Sequence, residues 1–371
     1  MKVTLVIGSL DNGGAERVVC NLANYLAGKG HKVSILTVSD EQSYFLLDTI
    51  KHVVLYPGSK TRLPHMLVNA IRISKMRNYL RKEKTDVYVT FLPKLSQILL
   101  SQKSIIHAPI IVAERCDPNT YYKSSLKNRI GFLRTYPNAN AYIFQTFDAR
   151  AFYEKVGIDV SVSTIIPNAI DAQFITEEYT GPRGKTIVSV GRLAHQKNFK
   201  LLIDAFFLIQ KDFEEYELII YGEGPLRQEL EDYIRRLGLT EKVKLPGFSN
   251  NLRSELQSAS MFVLSSNYEG ISNALAEAMA LGLPCVATDC PAGGSRFLIQ
   301  DGLNGLLVPP GDMDALAKAI RYLLTNREKA EAFSIEARKI IEKLAPDKVY
   351  SQWEKFIGDV ISVSKKRSIQ C

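Results

Sequence analysis

Cysteine is scarce in this sequence and follows no regular spacing. Five cysteines are scattered over 371 residues without a CxxC pair, which argues against a disulfide framework. Scattered thiols predict a reducing compartment, the cytoplasm, and each cysteine is expected to be a small buried apolar residue. They are Cys20, Cys116, Cys285, Cys290 and Cys371.

Long apolar runs are also missing. No uninterrupted stretch approaches the ~18 residues that are needed to cross a bilayer. The opening MKVTLVIGSL is followed by Asp-Asn-Gly-Gly, not by a small-residue cleavage site. It therefore predicts a buried first strand and no signal peptide.

Acidic residues are few in the first half of the chain. Residues 1–170 contain 22 Lys and Arg against 12 Asp and Glu, a balance of +10, whereas the remainder contains 25 against 27, a balance of −2. A basic first half joined to a near-neutral second half indicates an anionic surface or ligand for the first half.

Short β-branched segments alternate with longer helical patterns throughout the chain, which predicts α/β structure with parallel sheets covered by helices on both faces. Two such series in tandem predict two doubly wound domains, joined near Ile165–Gly184, where prolines and glycines interrupt the pattern. The expected domains are residues 1–170, to which a C-terminal helix over 347–371 returns, and residues 171–346. The predicted strands are Lys2–Ile7, Val33–Thr37, Val87–Phe91, Ile110–Ala113, Ala141–Phe144, Thr186–Val190, Glu217–Tyr221, Val243–Leu245, Met261–Leu264, Pro284–Ala287 and Gly305–Val308.

Because ligands of open parallel sheets bind beyond the carboxyl ends of the strands, the loops after strands are the candidate sites. The strand Thr186–Val190 is followed by GRLAHQKN, in which Gly191 precedes two cations, Arg192 and Lys197. Fixed cations at a strand exit suit a diphosphate leaving group, on which charge develops as its bond breaks. The residues alone equally allow two solvated surface cations.

The strand Met261–Leu264 is followed by a loop and helix that carry two carboxylates, Glu269 and Glu277. Gly270 allows close backbone approach, and the amides of Ile271–Ala274 open the helix and form an anion site. Glu277 is suited to accept both hydroxyls of a ribose, and Glu269 to accept hydroxyls of a transferred sugar. The alternative is simple helix-start chemistry with one surface carboxylate.

These motifs together resemble glycosyltransferase family 4. GSLDNGGAERV, IIPNAID, GRLAHQKN, YGEGP, YEGISNALAEAMALGLPCVATD and DGLNGLLVPPGD occur in the family's order and cover essentially the whole chain. The resemblance implies two Rossmann-like domains facing across a cleft, the GT-B arrangement, and sugar transfer with retention of anomeric configuration. It also implies a nucleoside diphosphate sugar donor, UDP by family habit.

The resemblance assigns site residues. The catalytic residues would be Arg192, Lys197 and Glu269. The donor-binding residues would be Gly13, Gly14, Gly191, Arg192, Lys197, Gly247, Phe248, Glu269, Gly270, Ile271, Ser272, Asn273, Ala274 and Glu277. Acceptor contacts would come from Glu16, Arg17, Arg72, Lys75 and Arg115, although Glu16 and Arg17 equally fit ordinary helix-start chemistry. Arg115 stands where many members have a histidine, which puts a histidine-based role in doubt.

Residues 60–84 form a basic segment with eight cations against Glu83 alone. A basic amphipathic helix is typical of a membrane surface or of a rail for an anionic ligand. The alternative is a solvated helix that packs one face on its own domain. Bacterial family members that build on polyprenyl diphosphate carriers have a similar segment, so a lipid-linked glycan acceptor at the cytoplasmic membrane face is expected.

No metal, cofactor or nucleic acid is expected. Asp312-Met313-Asp314 has the DxD form of some metal-binding glycosyltransferases, but it follows Pro309-Pro310-Gly311 and precedes a helical pattern, so Asp312 is predicted to be an N-cap. The function predicted is a retaining, metal-independent transfer of a hexose or N-acetylhexosamine in bacterial polysaccharide or glycan assembly. The rival hypotheses are a UDP-sugar 2-epimerase on the same scaffold and a non-enzymatic binder of membranes or anions.

Overall fold

The computed structural model describes residues 1–11, 13–55, 65–249 and 251–370. The chain divides into two compact units. The first unit contains residues 1–168 and 347–371, and the second contains residues 169–346. Each is built around one parallel sheet.

The first unit holds a parallel sheet of seven strands in the order β3-β2-β1-β4-β5-β6-β7. The strands are β1 (Lys2–Ile7), β2 (Lys32–Thr37), β3 (Lys51–Val54), β4 (Val87–Phe91), β5 (Ile110–Ala113), β6 (Ala141–Phe144) and β7 (Ser163–Ile165). The helices between them are α1 (Gly14–Gly28), α2 (His65–Lys82), α3 (Pro93–Leu100), α4 (Pro118–Lys123), α5 (Leu126–Thr135) and α6 (Phe147–Lys155).

The second unit holds a parallel sheet of six strands in the order β10-β9-β8-β11-β12-β13. The strands are β8 (Thr186–Val190), β9 (Glu217–Tyr221), β10 (Val243–Gly247), β11 (Met261–Leu264), β12 (Cys285–Thr288) and β13 (Leu306–Val308). The helices are α7 (Phe199–Ile209), α8 (Arg227–Arg236), α9 (Leu252–Ser258), α10 (Asn273–Ala280), α11 (Gly294–Leu298), α12 (Met313–Thr325), α13 (Arg327–Arg338) and α14 (Ile340–Leu344).

The predicted α/β class with two Rossmann-like parallel sheets is confirmed. The central strands β4, β11 and β12 are buried at every residue, because helices cover both faces of each sheet. The strands β3 and β7 are absent from the sequence prediction. They form the two edges of the first sheet and are only 4 and 3 residues long, so their apolar pattern is weak.

Three of the cysteines, Cys20, Cys285 and Cys290, are buried as predicted. Cys116 is exposed, so its predicted burial is wrong: it follows Arg115 in the turn between β5 and α4, beyond the buried part of the strand. Cys371 and residues 60–64 of the basic segment lie outside the described residues. Among the helices that are described, none is both long and apolar enough to cross a membrane.

The last helix, α15 (Pro346–Gln370), belongs to the first unit from Asp347 onward. It is anchored by Trp353, which is fully buried and stacks on Phe91 of β4 with ring centroids 5.9 Å apart. The Arg115 guanidinium lies 4.6 Å from the centre of the same indole. Among the described residues, Trp353 is the largest fully buried side chain, and aromatic side chains of this size bury a large apolar area.

Replacement of this anchor has a measurable cost. Trp353→Ala is expected to lower the free energy of unfolding of the first unit by about 3–5 kcal/mol, because it leaves a large cavity under β4. Urea denaturation followed by circular dichroism measures the change. Val363→Ala on the same helix, where the side chain is 49% exposed, is the control and should shift the midpoint little. Equal midpoints for the two variants would contradict the anchoring role.

Candidate functional site

The two loops that the sequence singles out meet where the second sheet reverses its winding. β8 and β11 are neighbours, with Met261 beside Ile187 and Phe262 beside Val188. The chain leaves β8 toward β9 on one side, and it leaves β11 toward β12 on the other. Such a reversal opens a crevice outside the carboxyl ends of the two strands, which is where open parallel sheets bind ligands.

A salt bridge between Lys197 and Glu269 spans these two loops. Lys197 Nζ lies 2.6 Å from Glu269 Oε1, and the two side chains are only 14% and 8% exposed. The hydroxyl of Ser266, which is also buried, donates to the same carboxylate oxygen at 2.9 Å. Glu269 Oε1 therefore accepts from two donors in a place that is largely closed to water, where electrostatic interactions are strong.

Hydrogen bonds hold the Lys197 loop and the Glu269 loop together. The N–H of Asn267 donates to the Gln196 carbonyl at 2.8 Å, and the Asn267 side-chain amide donates to the His195 carbonyl at 2.8 Å. The Asn198 side chain donates to Asn267 Oδ1 at 2.9 Å. Asn198 has a left-handed conformation, with φ of 45°, at the N-cap of α7, and such strain in a residue other than glycine is typical of functional loops.

Gly191 leaves room for the lysine. A Cβ atom at Gly191 would lie 2.8 Å from Cε and 3.1 Å from Cδ of Lys197, so the lysine stem lies across this glycine. The neighbouring Arg192 is exposed. Within the parts of the chain that the structure describes, its guanidinium has no hydrogen-bond or ion-pair partner. It is thus available to a ligand.

The YGEGP turn after β9 packs closely against the backbone of the Gly191 loop. Cβ atoms at Gly222 and Gly224 would overlap the backbone of Gly191 and Leu193. The N–H of Leu193 donates to the Glu223 carbonyl at 3.0 Å. This contact explains why the motif contains two glycines, since any side chain there would push the Arg192 loop out of place.

Two predicted donor-binding residues lie at the end of β10. Gly247 has φ of 86°, a conformation that glycine adopts without strain, and a Cβ atom there would lie 2.7 Å from the Glu223 carboxylate. Phe248 follows it with its ring 70% exposed. The N–H of Gly222 donates to the Gly247 carbonyl at 2.8 Å, which ties this strand end to the YGEGP turn.

The segment from Gly270 to Glu277 turns from the loop into α10. The Ser272 hydroxyl caps the helix by accepting from the N–H of Leu275, and Glu277, one helical turn further on, is 4% exposed. A Cβ atom at Gly294 would overlap the Gly270 carbonyl, so the start of α11 presses directly on this loop. Ile271 precedes the cap, and Asn273 and Ala274 begin the first turn of the helix.

Sequence reasoning missed several residues of this site, namely Ser266, Asn267, Asn198 and Gly294. Ser266 and Asn267 stand in the loop after β11, but nothing in their spacing shows which carboxylate or carbonyl they contact. Asn198 closes the GRLAHQKN motif, and its tolerance of left-handed backbone was an available signal. Gly294 follows Gly293 after β12, and its close approach to Gly270 depends on tertiary packing alone.

Four predicted residues of the first unit surround the start of α1. Gly13 is the N-cap of that helix, and Gly14 is its first residue. The Glu16 side chain folds back over Gly13, and the Tyr44 hydroxyl donates to the Gly13 carbonyl at 3.1 Å. Burial raises the pKa of the Glu16 carboxyl. Arg17 follows on the same turn, with its N–H donating to the Gly13 carbonyl.

Arg115 lies buried at the carboxyl ends of β5 and β7, not on an open surface. Its Nη1 donates to the Ile166 carbonyl at 3.1 Å and to Asn168 Oδ1 at 3.2 Å. Burial lowers the pKa of its guanidinium, whereas the neighbouring Glu114 opposes that shift. Nε and Nη2 have no hydrogen-bond partner among the described residues. A contact between Arg115 and an acceptor phosphate stays a prediction.

Residues 65–82 of the basic segment form α2, and this helix packs one face on its own domain. Val68, Met76 and Leu80 are buried, whereas Lys75 and Arg77 are exposed and Arg72 is half-buried. A surface cavity of about 480 Å³ is lined by Ser74, Lys75, Arg77, Asn78 and Arg81. The cavity lining contains three cations and no acidic residue, which suits phosphate.

Asp312 caps α12, as predicted: its carboxylate accepts from the Ala315 N–H at 2.9 Å. Over the residues that the structure describes, no group of three or more His, Cys, Asp and Glu side chains is arranged to hold a metal ion.

Comparison with known proteins agrees with this architecture. Two family models match, Glycosyltransferase Family 4 over residues 12–174 and Glycosyl transferases group 1 over residues 174–340. Among solved structures, sucrose-phosphate synthase from Thermosynechococcus elongatus superposes with a TM-score of 0.84 at 19% identity, covering 97% of this chain and 99% of that one. HepE from Anabaena in complex with UDP and glucose superposes with a TM-score of 0.81 at 18% identity, covering 97% and 100%.

Two relatives from Campylobacter jejuni are similar over nearly their whole length. One, a GalNAc-alpha-(1->4)-GalNAc-alpha-(1->3)-diNAcBac-PP-undecaprenol alpha-1,4-N-acetyl-D-galactosaminyltransferase, is 27% identical and covers 97% of this chain and 99% of its own. The other, an N-acetylgalactosamine-N,N'-diacetylbacillosaminyl-diphospho-undecaprenol 4-alpha-N-acetylgalactosaminyltransferase, is 29% identical and covers 91% and 94%. The two family models between them span most of the sequence, and the chain therefore belongs to the glycosyltransferases, with a family 4 first half and a group 1 second half.

Proposed function

We propose that this glycosyltransferase moves a hexose or an N-acetylhexosamine from a UDP-sugar to a polyprenyl-diphosphate-linked oligosaccharide, with retention of configuration and without a metal ion. The reaction serves bacterial surface polysaccharide or glycan assembly. The observation that carries the proposal is the buried contact between Lys197 and Glu269, with Arg192 exposed beside it at the carboxyl end of β8.

The cations serve the leaving group. As the bond between the sugar C1 and the diphosphate oxygen breaks, its electron pair passes to that oxygen, and negative charge develops on the diphosphate. Lys197 and Arg192 supply positive charge at that point, and the start of α10 adds the positive end of its dipole. Charge supplied in this way by side chains takes the role that a divalent ion has in other transferases.

Glu269 binds the sugar as a hydrogen-bond acceptor and does not attack C1. Its Oε1 is already engaged by Lys197 and Ser266, and a carboxylate held in this way is a weak nucleophile. The acceptor hydroxyl then attacks C1 from the face that the diphosphate leaves. Its oxygen forms the new bond, and its proton passes to the departing phosphate oxygen, which gives retention.

The remaining donor contacts follow from position. Gly191 lies in the loop after β8, and Gly270, Ile271 and Ser272 lie in the loop before α10, which Asn273 and Ala274 begin. Backbone groups at these positions reach a diphosphate and its sugar. Glu277 holds the ribose hydroxyls, and Gly247 and Phe248 border the base. Gly13 and Gly14 are the donor-binding residues assigned to the first unit. UDP is the proposed nucleotide because HepE, which shares the fold, has been solved with UDP and glucose.

The acceptor is assigned to the first unit, with Glu16, Arg17, Arg72, Lys75 and Arg115 as its contacts. The Campylobacter relatives are named for undecaprenol-linked acceptors joined through a diphosphate. The cationic cavity on α2 offers the charge that such a diphosphate requires. The same helix would hold the protein on the anionic cytoplasmic face of a membrane by charge, because Lys75 and Arg77 are exposed whereas Val68, Met76 and Leu80 are buried.

Removal of the leaving-group cations tests the donor assignment. Arg192→Ala and Lys197→Ala should each lower turnover by about 10²-fold or more, the range for loss of a preorganised charge stabiliser. Steady-state release of UDP measures the change. Lys200→Ala, which removes an exposed cation three residues further along, is the matched control and should stay near the native rate. Native turnover in both site variants contradicts the assignment.

The salt bridge across the two loops gives a second prediction. Ser266→Ala removes one of the two donors to Glu269 Oε1, and a hydrogen bond to a charged group is worth about 1.5–3 kcal/mol. We expect turnover to fall by about tenfold or more while the affinity for UDP alone stays the same, because Ser266 acts on the sugar-binding carboxylate. Calorimetry with UDP and UDP-sugar separates the two effects, and equal loss for both ligands would contradict this role.

Charge reversal on α2 tests the acceptor. Lys75→Glu with Arg77→Glu should lower transfer to a polyprenyl-diphosphate-linked glycan by about tenfold or more and reduce its dependence on salt, because phosphate contacts are lost. Lys318→Glu with Lys329→Glu, on exposed helix positions of the second unit, is the control. Native transfer to this acceptor after charge reversal on α2 would refute the role of the cationic cavity in acceptor binding.

A panel of UDP-, GDP- and ADP-sugars identifies the donor. Transfer predicts that free UDP appears from one UDP-sugar and that its release depends on the added acceptor. Conversion of the UDP-sugar to an epimer without acceptor would instead support the 2-epimerase. Separation of free nucleotides from nucleotide sugars measures both the release of UDP and the formation of an epimer.

A further inference from the structure

An apolar stripe runs along the outer side of α5 in the first unit. Leu126, Ile130 and Leu133 are 71%, 55% and 37% exposed. At about 100° of rotation per residue, the spacing of four and then three residues places the three side chains within an arc of about 60°. Large apolar side chains that cluster on one exposed face mark an interaction surface more often than the same residues scattered singly.

The stripe is not the core-facing side of this helix. Phe132 is 1% exposed and packs on the rings of Tyr136 and Tyr153, with centroids 4.0 and 5.2 Å away. Gly131 lies against Gln97 of α3, whose side chain donates to the Asn128 carbonyl at 3.2 Å. The helix therefore buries its Asn128, Gly131 and Phe132 side in the domain and carries a second apolar face on the opposite side.

The charge around the stripe has one sign. Between Asp117 and Asp148 the sequence contains four cations and no acidic residue. The cations are Lys123, Lys127, Arg129 and Arg134, and all four are exposed. On the helix, Lys127 and Arg134 flank the stripe on one side and Arg129 on the other. Arg129 is held in place by its Nε–H, which donates to the Tyr122 hydroxyl at 3.1 Å.

This combination fits a bilayer surface better than a protein partner. Lysine is depleted in protein interfaces, whose centres avoid charge. An interfacial helix instead places a narrow apolar face at the boundary between head groups and acyl chains, and long cationic side chains beside it reach up to the lipid phosphates. On α2, Val68, Met76 and Leu80 are buried, so these three apolar side chains are not available to a bilayer.

We propose that α5 is a membrane-docking element, which inserts Leu126, Ile130 and Leu133 into the surface of a bilayer containing anionic lipid while Lys123, Lys127, Arg129 and Arg134 bind its phosphates. The proposal needs neither a donor nor an acceptor, so it goes beyond the proposed reaction. It would hold the enzyme at the membrane surface, which is where a lipid-linked acceptor is found.

Flotation of the full-length chain with vesicles tests the proposal. The probes are vesicles of phosphatidylcholine alone and of phosphatidylcholine with phosphatidylglycerol. The native chain should float with the anionic vesicles. Ile130→Asp should lower the partition coefficient by about tenfold or more, since burial of one such side chain is worth at least that factor. The matched control is Ile335→Asp on α13, where the side chain is 57% exposed, and it should float as the native chain does.

The charge part is tested separately. Lys127→Glu with Arg134→Glu should abolish the preference for anionic vesicles and leave the thermal melting temperature near that of the native chain, because both side chains are exposed. Native flotation of Ile130→Asp, or equal loss in Ile130→Asp and Ile335→Asp, would overturn the proposal.

Two further measurements distinguish a membrane surface from a protein interface and from a defect in the donor site. If Ile130→Asp converts a dimer into a monomer in light scattering and vesicle binding is unchanged, the stripe is an interface between copies of this chain, and the docking proposal is wrong. Calorimetry with UDP on the same variants keeps the two proposals apart. Failure of UDP to bind contradicts the proposed donor and leaves the flotation result in force, whereas native UDP binding without flotation contradicts only the docking surface.

Discussion

The candidate site depends on one buried salt bridge, between Lys197 and Glu269. Two charges that are only 14% and 8% exposed must stay paired, because removal of one leaves the other uncompensated in a poorly solvated place. The pair joins loops that are about 70 residues apart in sequence but that leave adjacent strands, β8 and β11. It thereby sets the position of the sugar-binding carboxylate relative to the cation of the leaving group.

The surrounding structure keeps this pair in place by close backbone packing. Gly191 makes room for the lysine side chain, and Gly222 and Gly224 allow the YGEGP turn to pack against the backbone of the same loop. On the other side, Gly294 presses on Gly270, while Asn267 bonds to the carbonyls of both His195 and Gln196. Positioning of this kind lowers the cost of ordering the site when a ligand arrives, which is how preorganised charge contributes to catalysis.

Much of this could be predicted from the sequence, because long parallel strands are continuous apolar runs and because strand exits with glycines and charges mark ligand sites. The sequence shows less where tertiary packing decides. The edge strands β3 and β7 are short and only partly buried, so their pattern is weak. Leu126, Ile130 and Leu133 have the spacing of an ordinary core face, and their exposure in the structure, with Phe132 buried on the other side, shows that they point outward. Arg115 has the sequence context of a surface contact, but Trp353, more than 200 residues away, covers it.

A crystal structure with an intact UDP-sugar bound would be the decisive measurement, because it locates the diphosphate and the sugar independently of any rate. We expect the diphosphate within hydrogen-bond distance of Arg192 and Lys197, with hydroxyls of the sugar on Glu269 and those of the ribose on Glu277. A diphosphate bound away from the carboxyl ends of β8 and β11, with the Lys197–Glu269 contact facing empty solvent, would contradict the proposed site.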